Sequence, residues 1–437
     1  MLFNMDKKIL RSTPFQKFVK IEGFGGILLL IATLTALIWA NSALGASYTS
    51  IWNYKVGLKT ESFELYKPLL LWVNDGLMTV FFFLIGLEIK REVLIGELNS
   101  FKKMAFPLFG AIGGMIIPVL FFLILNQNES TFKGWGIPMA TDIAFSLAIL
   151  NALGKRVPLS LKIFLTAFAI VDDLGAVLVI AIFYSGTISM SLLGMAIGLL
   201  LILYFLSYKR YYSKFVLVTM GIIIWVLFLK SGIHPTLAGV LLAFAVPIRQ
   251  SINTPAFIEN LVSITNNIKD ASISKKPILS KEQIQEIDEL QEWTGKYQSP
   301  LQHMEHSLHG WVAYLIIPLF ALANAGVVIT GGDNLDTMLI INIVVCLVLG
   351  KSIGITSIVV LAQKLKLLTV PKEISLQHII GTSFLAGIGF TMAIFVSNLA
   401  FSDDPSYNLS AKMGILIGSL IAAILGYLIL RIKRTAN

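Results

Sequence analysis

The feature that most constrains this chain is a series of long apolar runs that continues from one end of the sequence to the other. Hydrophobic residues make up 56% of the 437 residues and charged residues only 14%, and the mean hydropathy is +0.80. A run of about 20 apolar residues is long enough to cross the hydrocarbon core of a bilayer as a helix. A soluble domain of this composition would expose large apolar patches. We therefore predict an all-α polytopic membrane protein.

The apolar runs divide into about twelve predicted spans, and residues 1–437 form a single transmembrane domain. The spans cover 23–43, 68–89, 104–125, 137–153, 159–184, 190–207, 213–230, 233–248, 310–330, 337–361, 377–401 and 410–431. The first run follows basic residues and precedes "ANSALGA", as a signal peptide would, but it is too long for the core of one.

Lysine and arginine concentrate in alternate gaps between the spans. The two tails and the gaps around 90–103, 155–156, 209–214 and 364–372 are basic, whereas 185–189, 331–336 and 402–409 contain neither residue. Cytoplasmic loops are the basic ones in membrane proteins, so both termini are predicted to be cytoplasmic. Because the net charge of +9 sits in these gaps, we expect the lipid bilayer as partner and no nucleic acid.

Two gaps are longer than the rest. The outside gap at 44–67 contains three lysines against the alternation, and its partial alternation around Gly57 predicts a small β-hairpin. The gap at 249–308 is predicted to be a long cytoplasmic loop with a polar helix in "KEQIQEIDELQEWTGKY"; a regulatory role is the alternative. The single cysteine, Cys346, excludes an internal disulfide and a cysteine-rich metal site.

Five ionisable residues fall deep within the predicted spans: Asp75, Asp142, Asp172, Asp173 and Lys351. A charge at the centre of a membrane helix costs ~2.5–3.5 kcal/mol on the insertion scale, so each is a functional hypothesis by default. A lone membrane aspartate often serves as a structural hydrogen-bonding group. Two adjacent aspartates, a third one and a lysine favour a functional site.

Two of the spans carry signs of interruption. The fourth contains Pro138 and the polar pair Thr141–Asp142, and the eleventh contains Gly387, Gly389 and Thr391. One interrupted span in each half is typical of transporters built from inverted repeats. The ends of a broken helix carry about half an elementary charge each, which an aspartate and a lysine can balance.

Asp172 and Asp173 are adjacent, so on a helix their side chains point about 100° apart. One carboxylate can then face a water-filled cavity while the other faces a partner. A hard cation such as Na⁺ or Li⁺ prefers oxygen ligands, and the same carboxylates bind protons. A site that holds a metal cation or protons, but not both, exchanges one for the other. We expect no cofactor.

Three alternatives use paired carboxylates differently. An intramembrane aspartyl protease would employ them for acid–base catalysis, but Phe390 stands in "GIGF" where its second acid should be. A prenyl-diphosphate enzyme would carry an acid at Ala176. A cation channel would need rings of identical filters, and a charge-translocation assay separates it from an exchanger.

Several titratable residues lie where spans meet the predicted cytoplasmic side. From spacing alone, Glu88, Arg91 and Glu92 are typical of anchors that reach toward the membrane surface. A second group, His303, Glu305, His306 and His309, has spacing compatible with one helix face. Such histidines titrate near neutral pH or pack, and a zinc site is the alternative.

Six ordered stretches of this sequence resemble the NhaA-type sodium/proton antiporters. They are "WVNDGLMTVFFFLIGLEIKRE", "IPMATDIAFSLAIL", "RVPLSLKIFLTAFAIVDDLGAVLVIAIFY", "MEHSLHGWVAYLIIPLFALANAG", "LGKSIGI" and "GIGFTMAIF". The resemblance covers nearly all of the chain except about 250–300. It implies twelve helices, of which the fourth and eleventh are unwound and cross near the middle of the bilayer.

The resemblance also implies roles for individual residues. Asp173 corresponds to the more direct cation ligand, and Asp172 to a proton-binding partner of Lys351. Thr141 and Asp142 match the broken fourth helix, with Lys351 balancing the helix ends opposite Asp142. Asp75 matches a carboxylate near the cytoplasmic funnel. The residues that match the region associated with pH regulation are Glu88, Arg91, Glu92, Glu305, His306 and His309.

The function implied is an electrogenic Na⁺(Li⁺)/H⁺ antiporter of a prokaryotic inner membrane, a secondary transporter and not an enzyme, activated at alkaline pH. The 44–67 hairpin resembles the family's dimer contact, so we expect a homodimer. Two departures stand out. Gly310 replaces a proline that is common after the second histidine, and the 250–300 loop is larger than the family leads us to expect.

Overall fold

The computed structural model describes residues 14–61, 64–209, 211–250, 252–270, 278–328 and 335–432. Nearly all of these residues are helical. The helices are α1 (Pro14–Ala40), α2 (Gly45–Asn53), α3 (Leu69–Ile95), α4 (Phe101–Leu125), α5 (Ile143–Ala152), α6 (Leu159–Phe183), α7 (Met190–Tyr208), α8 (Lys214–Ser231), α9 (Thr236–Ala245), α10 (Thr254–Asp270), α11 (Lys281–Tyr297), α12 (Pro300–Asn324), α13 (Thr337–Lys364), α14 (Leu376–Ala386), α15 (Phe390–Ala400) and α16 (Pro405–Arg431).

Nine of the helices within the described residues are long and apolar enough to cross a membrane, and two bent pairs raise the number to eleven. A shorter apolar helix, α9, lies where the eighth span was predicted. The predicted all-α polytopic membrane fold is therefore confirmed. The two bent pairs lie at the predicted fourth and eleventh spans, so the prediction of interrupted helices there is confirmed as well.

The first bent pair consists of the 3₁₀ segment Glu129–Met139 followed by α5, with an angle of 45° between them. The second consists of α14 and α15, which meet at 42°. The two breaks lie against each other, because the backbone N–H of Asp142 donates to the Ile388 carbonyl at 2.6 Å. This contact places the breaks of the fourth and eleventh spans at one point in the core.

The predicted start of the ninth span is wrong by ten residues, since α12 begins at Pro300 rather than at 310. Its first turn is held inside the protein, where Leu301 is fully buried and its backbone N–H donates to the Pro247 carbonyl at 3.1 Å. The hydropathy of 302–309 is low, so apolar length alone missed this first part. The helix is stabilised there by neighbouring helices.

Two short antiparallel strands, β1 (Lys55–Lys59) and β2 (Glu64–Pro68), form a hairpin within the predicted outside gap. We call the end of the helix bundle that carries them the hairpin side. Tyr48 of α2 anchors this region, because its hydroxyl lies 2.8 Å from the Leu322 carbonyl and accepts from Gly326 N–H at 3.1 Å. Burial raises the pKa of Tyr48 to about 12, so its hydroxyl stays a donor at neutral pH.

The segment between α9 and α12 forms a separate helical pair, α10 and α11. Phe257 stacks on Tyr297 with ring centroids 4.2 Å apart, and Asn267 donates to Glu286 at 3.1 Å. The capping box at Ser280 and Gln283 starts α11. We call α10 and α11 the appendage.

The appendage is predicted to be dispensable for the membrane domain. Its two ends meet at the hydrogen bond between Leu301 and Pro247, so a short flexible Gly/Ser linker in place of 252–298 spans the gap. We expect the shortened protein to keep its melting temperature within a few degrees. We also expect it to retain sodium-dependent proton movement, the activity that the resemblance implies.

The matched control is Leu301→Ser, which puts a hydroxyl into a fully buried apolar position at the same junction and should lower the melting temperature. Loss of transport by a folded, membrane-inserted protein that lacks 252–298 would refute the prediction.

Candidate functional site

The break in the fourth span opens the backbone at Ala140, Thr141 and Asp142. Ala140 and Asp142 have extended dihedral angles, with ψ of 145° and 100°. Pro138 lies just ahead of the break and cannot donate a backbone hydrogen bond. The carbonyls that end the 3₁₀ segment and the N–H groups that start α5 are thereby left without helical partners.

Asp142 closes the positive ends of two helices at once. One carboxylate oxygen accepts from Phe145 N–H at 3.1 Å, at the start of α5. The other accepts from Thr391 N–H at 3.1 Å and from the Thr391 hydroxyl at 2.5 Å, at the start of α15. Both helix N-termini attract a negative charge. Asp142 is therefore positioned as a shared cap.

Lys351 lies at the negative side of the same break, where the carbonyls at the C-terminal end of the 3₁₀ segment lack helical partners. Its fully buried ammonium group donates to the Met139 carbonyl at 2.6 Å, the Thr141 hydroxyl at 2.6 Å and Asp172 Oδ2 at 3.0 Å. These three contacts use all three donors of an ammonium group. The Thr141 hydroxyl in turn donates to the Ala386 carbonyl at 3.0 Å, at the end of α14.

Close backbone packing allows these groups to meet. A Cβ atom on Gly387 would overlap the Leu347 carbonyl oxygen, so only glycine lets the break in the eleventh span approach α13. Within α13, a π-helical turn, Cys346–Gly350, directly precedes Lys351. Such turns are frequent at functional sites because they redirect the following side chains.

Asp172 and Asp173 lie side by side on α6 and are 1% and 2% exposed. Asp172 Oδ1 has no hydrogen-bond partner in the part of the chain that the structure describes. The Asp173 carboxylate likewise makes no hydrogen bond or ion pair there, although Asp172, Asp142 and Lys351 are near enough to act on its charge. Buried carboxylate oxygens without donors are costly. A proton or a bound cation would satisfy them.

The charges of the site can be assigned to partners. Asp142 contacts two helix N-termini, each of which carries about half an elementary positive charge. Lys351 contacts the Met139 carbonyl at the end of one helical segment directly, and it reaches the Ala386 carbonyl at the end of another through the Thr141 hydroxyl. The remaining carboxylate charge belongs to Asp172 and Asp173. One monovalent cation or two protons can reduce it.

The structure places Asp75 at the hairpin end of α3, away from this site. Asp75 lies in the π-helical turn Trp72–Leu77, 3.0 Å from Lys67 of the hairpin and 3.9 Å from His234. Arg91 lies roughly 24 Å further along α3, at 1.5 Å per residue. Asp75 and Arg91 therefore lie at opposite ends of α3, and the role of Asp75 in the ion pathway stays a prediction.

The residues predicted for pH regulation meet at the other end of α3, where it packs on α12. Arg91 lies 2.9 Å from Glu92 and 3.3 Å from Glu305, and His309 lies 3.9 Å from Glu88. His306 is exposed on α12. Among the described residues no group of three His, Cys, Asp or Glu side chains could hold a metal ion, so the zinc alternative is not supported there.

Sequence reasoning missed three contributors. The Met139 carbonyl binds Lys351, and the Ser146 hydroxyl lies 2.8 Å from both the Asp142 and Leu385 carbonyls, which links the two broken helices. A chain of neutral amides that includes Asn74 and Asn324 lies in the core. The cost of burial in a membrane singles out ionisable groups most strongly. Amide side chains inside a span carry a smaller cost and are therefore a weaker indication of function.

The fold and the site together define a polytopic membrane transporter for a small cation. Residues 16–430 match the family described as Na⁺/H⁺ antiporter 1. The Na(+)/H(+) antiporter NhaA of Oleidesulfovibrio alaskensis is 46% identical over 426 residues, with coverage of 96% of this chain and 94% of that protein. The Na(+)/H(+) antiporter NhaA of Helicobacter pylori is 43% identical over 429 residues, with coverage of 97% of each.

The chain therefore belongs to the Na⁺/H⁺ antiporter 1 family. It is a multi-pass membrane protein and a sodium/proton antiporter, with Na⁺ and H⁺ as its transported substrates, and it is a transporter rather than an enzyme.

The buried ion pair predicts a specific pattern of stability. Lys351→Met leaves the Asp172 carboxylate buried without its partner, which typically costs about 3–5 kcal/mol. Adding Asp172→Asn removes that stranded charge, so the double variant should melt at a higher temperature than Lys351→Met alone. Thermal unfolding in detergent without sodium measures this.

Lys364→Met, at the exposed end of the same helix, is the control and should change the melting temperature little. A double variant that is no more stable than Lys351→Met would contradict the pairing.

Proposed function

We propose that this antiporter exports sodium, and also lithium, in exchange for protons by alternating access, as a secondary active transporter of the bacterial inner membrane. The observation that carries the proposal is the pair Asp172 and Asp173, buried beside Lys351, in which Asp172 Oδ1 and the Asp173 carboxylate have no hydrogen-bond donor among the described residues. Carboxylate and carbonyl oxygens are suitable ligands for hard cations. The same oxygens accept protons, so the two substrates compete.

The exchange is proposed to be electrogenic. When sodium leaves, the two carboxylates, or one of them together with Lys351, take up protons. If two protons replace one sodium ion, one net charge crosses the membrane per cycle. The membrane potential then contributes about 2.3 kcal/mol per charge per 100 mV, which favours export of sodium from a cell with a negative interior.

The proposed orientation and assembly are supported by features of the loops. The basic tails and gaps support cytoplasmic termini, which places the hairpin side outside the cell. A homodimer that pairs through the hairpin is supported by its exposed apolar side chains, since Leu58 is 69% and Val56 43% exposed. The charged contacts of Arg91 with Glu92 and Glu305 are proposed to tune the response to pH from the cytoplasmic side.

Transport is predicted to rise as the pH rises from acid to alkaline. At low pH, Asp172 and Asp173 bind protons and cannot bind sodium; at higher pH they release protons and the cation enters. Sodium at saturating concentration must therefore shift the pH profile toward acid. The measurement is proton flux in proteoliposomes over a series of pH values at limiting and at saturating sodium. An unshifted profile would exclude direct competition.

Asp173 is predicted to be indispensable for cation binding, whereas Lys351 is replaceable at a cost. Asp173→Asn keeps one oxygen but loses the charge that offsets dehydration of the ion, so calorimetry should detect no sodium binding. Lys351→Ala should bind sodium with lower apparent affinity and, if Lys351 carries a transported proton, move less charge per sodium. Transport current on solid-supported membranes measures the second effect.

Asp403→Asn, an exposed carboxylate outside the helices, is the matched control for both measurements. Sodium binding by Asp173→Asn equal to that of the unaltered protein would remove Asp173 as ligand. A steady current without coupled proton movement would favour a channel instead of an exchanger.

A further inference from the structure

Four asparagines form a continuous hydrogen-bonded chain across the helix bundle on the hairpin side. Asn74 of α3, Asn324 of α12, Asn398 of α15 and Asn408 of α16 are its members, and we call them the amide layer. Asn74 lies six residues after the hairpin, Asn324 is the last residue of α12, and Asn408 lies in the first turn of α16. The layer thus joins four helices at one end of the membrane region.

The layer consists of two firmly tied halves. In the first half, Asn324 donates to Asn74 at 2.8 Å and Asn74 donates back at 3.3 Å, so two hydrogen bonds join α3 to α12. In the second half, Asn408 donates to Asn398 at 3.1 Å and accepts from the Ser397 hydroxyl at 2.6 Å, which joins α15 to α16.

A single hydrogen bond connects the halves. Asn398 Nδ2 donates to Asn324 Oδ1 at 2.7 Å, and among the described residues it is the only side-chain hydrogen bond between the two halves. Asn324 is 2% exposed and Asn74 7%, whereas Asn398 and Asn408 are partly exposed, so the first half of the layer is buried in this conformation. We call the bond between Asn324 and Asn398 the seam.

The position of the seam relates it to the ion site. Asn398 lies on α15, the helix whose N-terminus is held on Asp142 through Thr391. Seven residues, about 10 Å of helix, separate Thr391 from Asn398. A movement of α15 away from α12 would therefore open the seam and expose the segment of α15 between Asn398 and the Asp142 contact to the hairpin side.

The chemistry of the layer suits a contact that must open. Amide hydrogen bonds contribute only modestly in net terms, since water replaces them when the groups become wet. An apolar seal would instead have to be hydrated against the hydrophobic effect. Neutral amides also leave the charge of the pathway unchanged while a cation passes.

We propose that the amide layer is the hairpin-side gate of the antiporter, and that it opens at the seam between Asn324 and Asn398 while each half moves as a unit. The inference rests on the proposed alternating-access function. It assigns these asparagines as positioning residues of the transport cycle that hold the closed state and do not bind the ion in that state.

Two matched cross-links test where the layer opens. In a Cys346→Ala background, Asn324→Cys with Asn398→Cys places thiols across the seam, and Asn74→Cys with Asn324→Cys places them within one half. A short, reducible bifunctional thiol reagent joins each pair, and mass spectrometry measures the yield. Sodium-dependent proton flux is then compared in each protein before and after cross-linking, and again after reduction.

We expect the cross-link over the seam to lower turnover about tenfold or more, because it blocks a conformational step of the cycle, and reduction to restore it. The cross-link within one half should leave turnover within about twofold of the reduced protein. Unchanged turnover with the seam joined, or equal inhibition by both cross-links, would overturn the proposal. Absence of sodium-dependent flux in the unaltered protein would instead count against the proposed function.

Asn398→Leu provides a test that needs no cross-link. Leucine keeps the branched shape and the number of side-chain heavy atoms of asparagine but removes the seam hydrogen bond, together with the bond that Asn398 accepts from Asn408, so the hairpin-open conformation becomes more populated. The ratio of apparent sodium affinities at the two membrane faces should then change by about threefold or more. Asn74→Leu, within one half, should leave that ratio unchanged. A lower melting temperature for Asn398→Leu with an unchanged ratio would make the layer a structural contact only and refute the gate.

Discussion

The structure depends on how the broken helices satisfy their open backbone groups inside a membrane. A bilayer offers no water to exposed N–H and carbonyl groups, so each such group must find a partner within the protein. Asp142 supplies one carboxylate to the N-termini of α5 and α15, and Lys351 supplies one ammonium group to the Met139 carbonyl. Two opposite charges thus make two breaks tolerable at the same place.

This compensation also sets the chemistry of the site. Since Asp142 and Lys351 are committed to helix ends, the remaining negative charge rests on Asp172 and Asp173. Lys351 contacts Asp172 as well, so the scaffold and the carboxylate pair share one hydrogen-bonding group. A change in the charge of the pair therefore alters the interaction of Lys351 with the ends of the broken helices. That link provides a physical route from ion binding to movement of the helices.

The amide layer and the charged group at the opposite end of the bundle differ in their chemistry, although the hairpin side also carries the ion pair of Lys67 and Asp75. On the hairpin side the amide layer consists of neutral groups, whose hydrogen bonds do not change with pH or with salt. At the opposite end Arg91, Glu92 and Glu305 form a charged group, in which protonation or screening changes the contacts. A response to pH through the charged group and a pH-independent amide gate would then occupy opposite ends of one pathway.

The sequence by itself determined the fold class, most of the spans, and the chain positions of both breaks. The length of an apolar run indicates whether a helix can cross a bilayer. A helix interruption is indicated by Pro138, Gly387 and Gly389. Both constraints are local in sequence. It also singled out Asp142, Asp172, Asp173 and Lys351, because the cost of burying a charge is a property of the residue type.

Only the tertiary structure decided which groups meet. The contacts that build the site and the amide layer join residues far apart in sequence. They are the two helix N-termini on Asp142, the Met139 carbonyl on Lys351, and the single hydrogen bond between Asn324 and Asn398. The early start of α12 depends on packing as well. Hydropathy reports how apolar a segment is. The hydrogen-bond partners of a side chain depend instead on how the helices cross in three dimensions, and the local residue pattern does not determine that crossing.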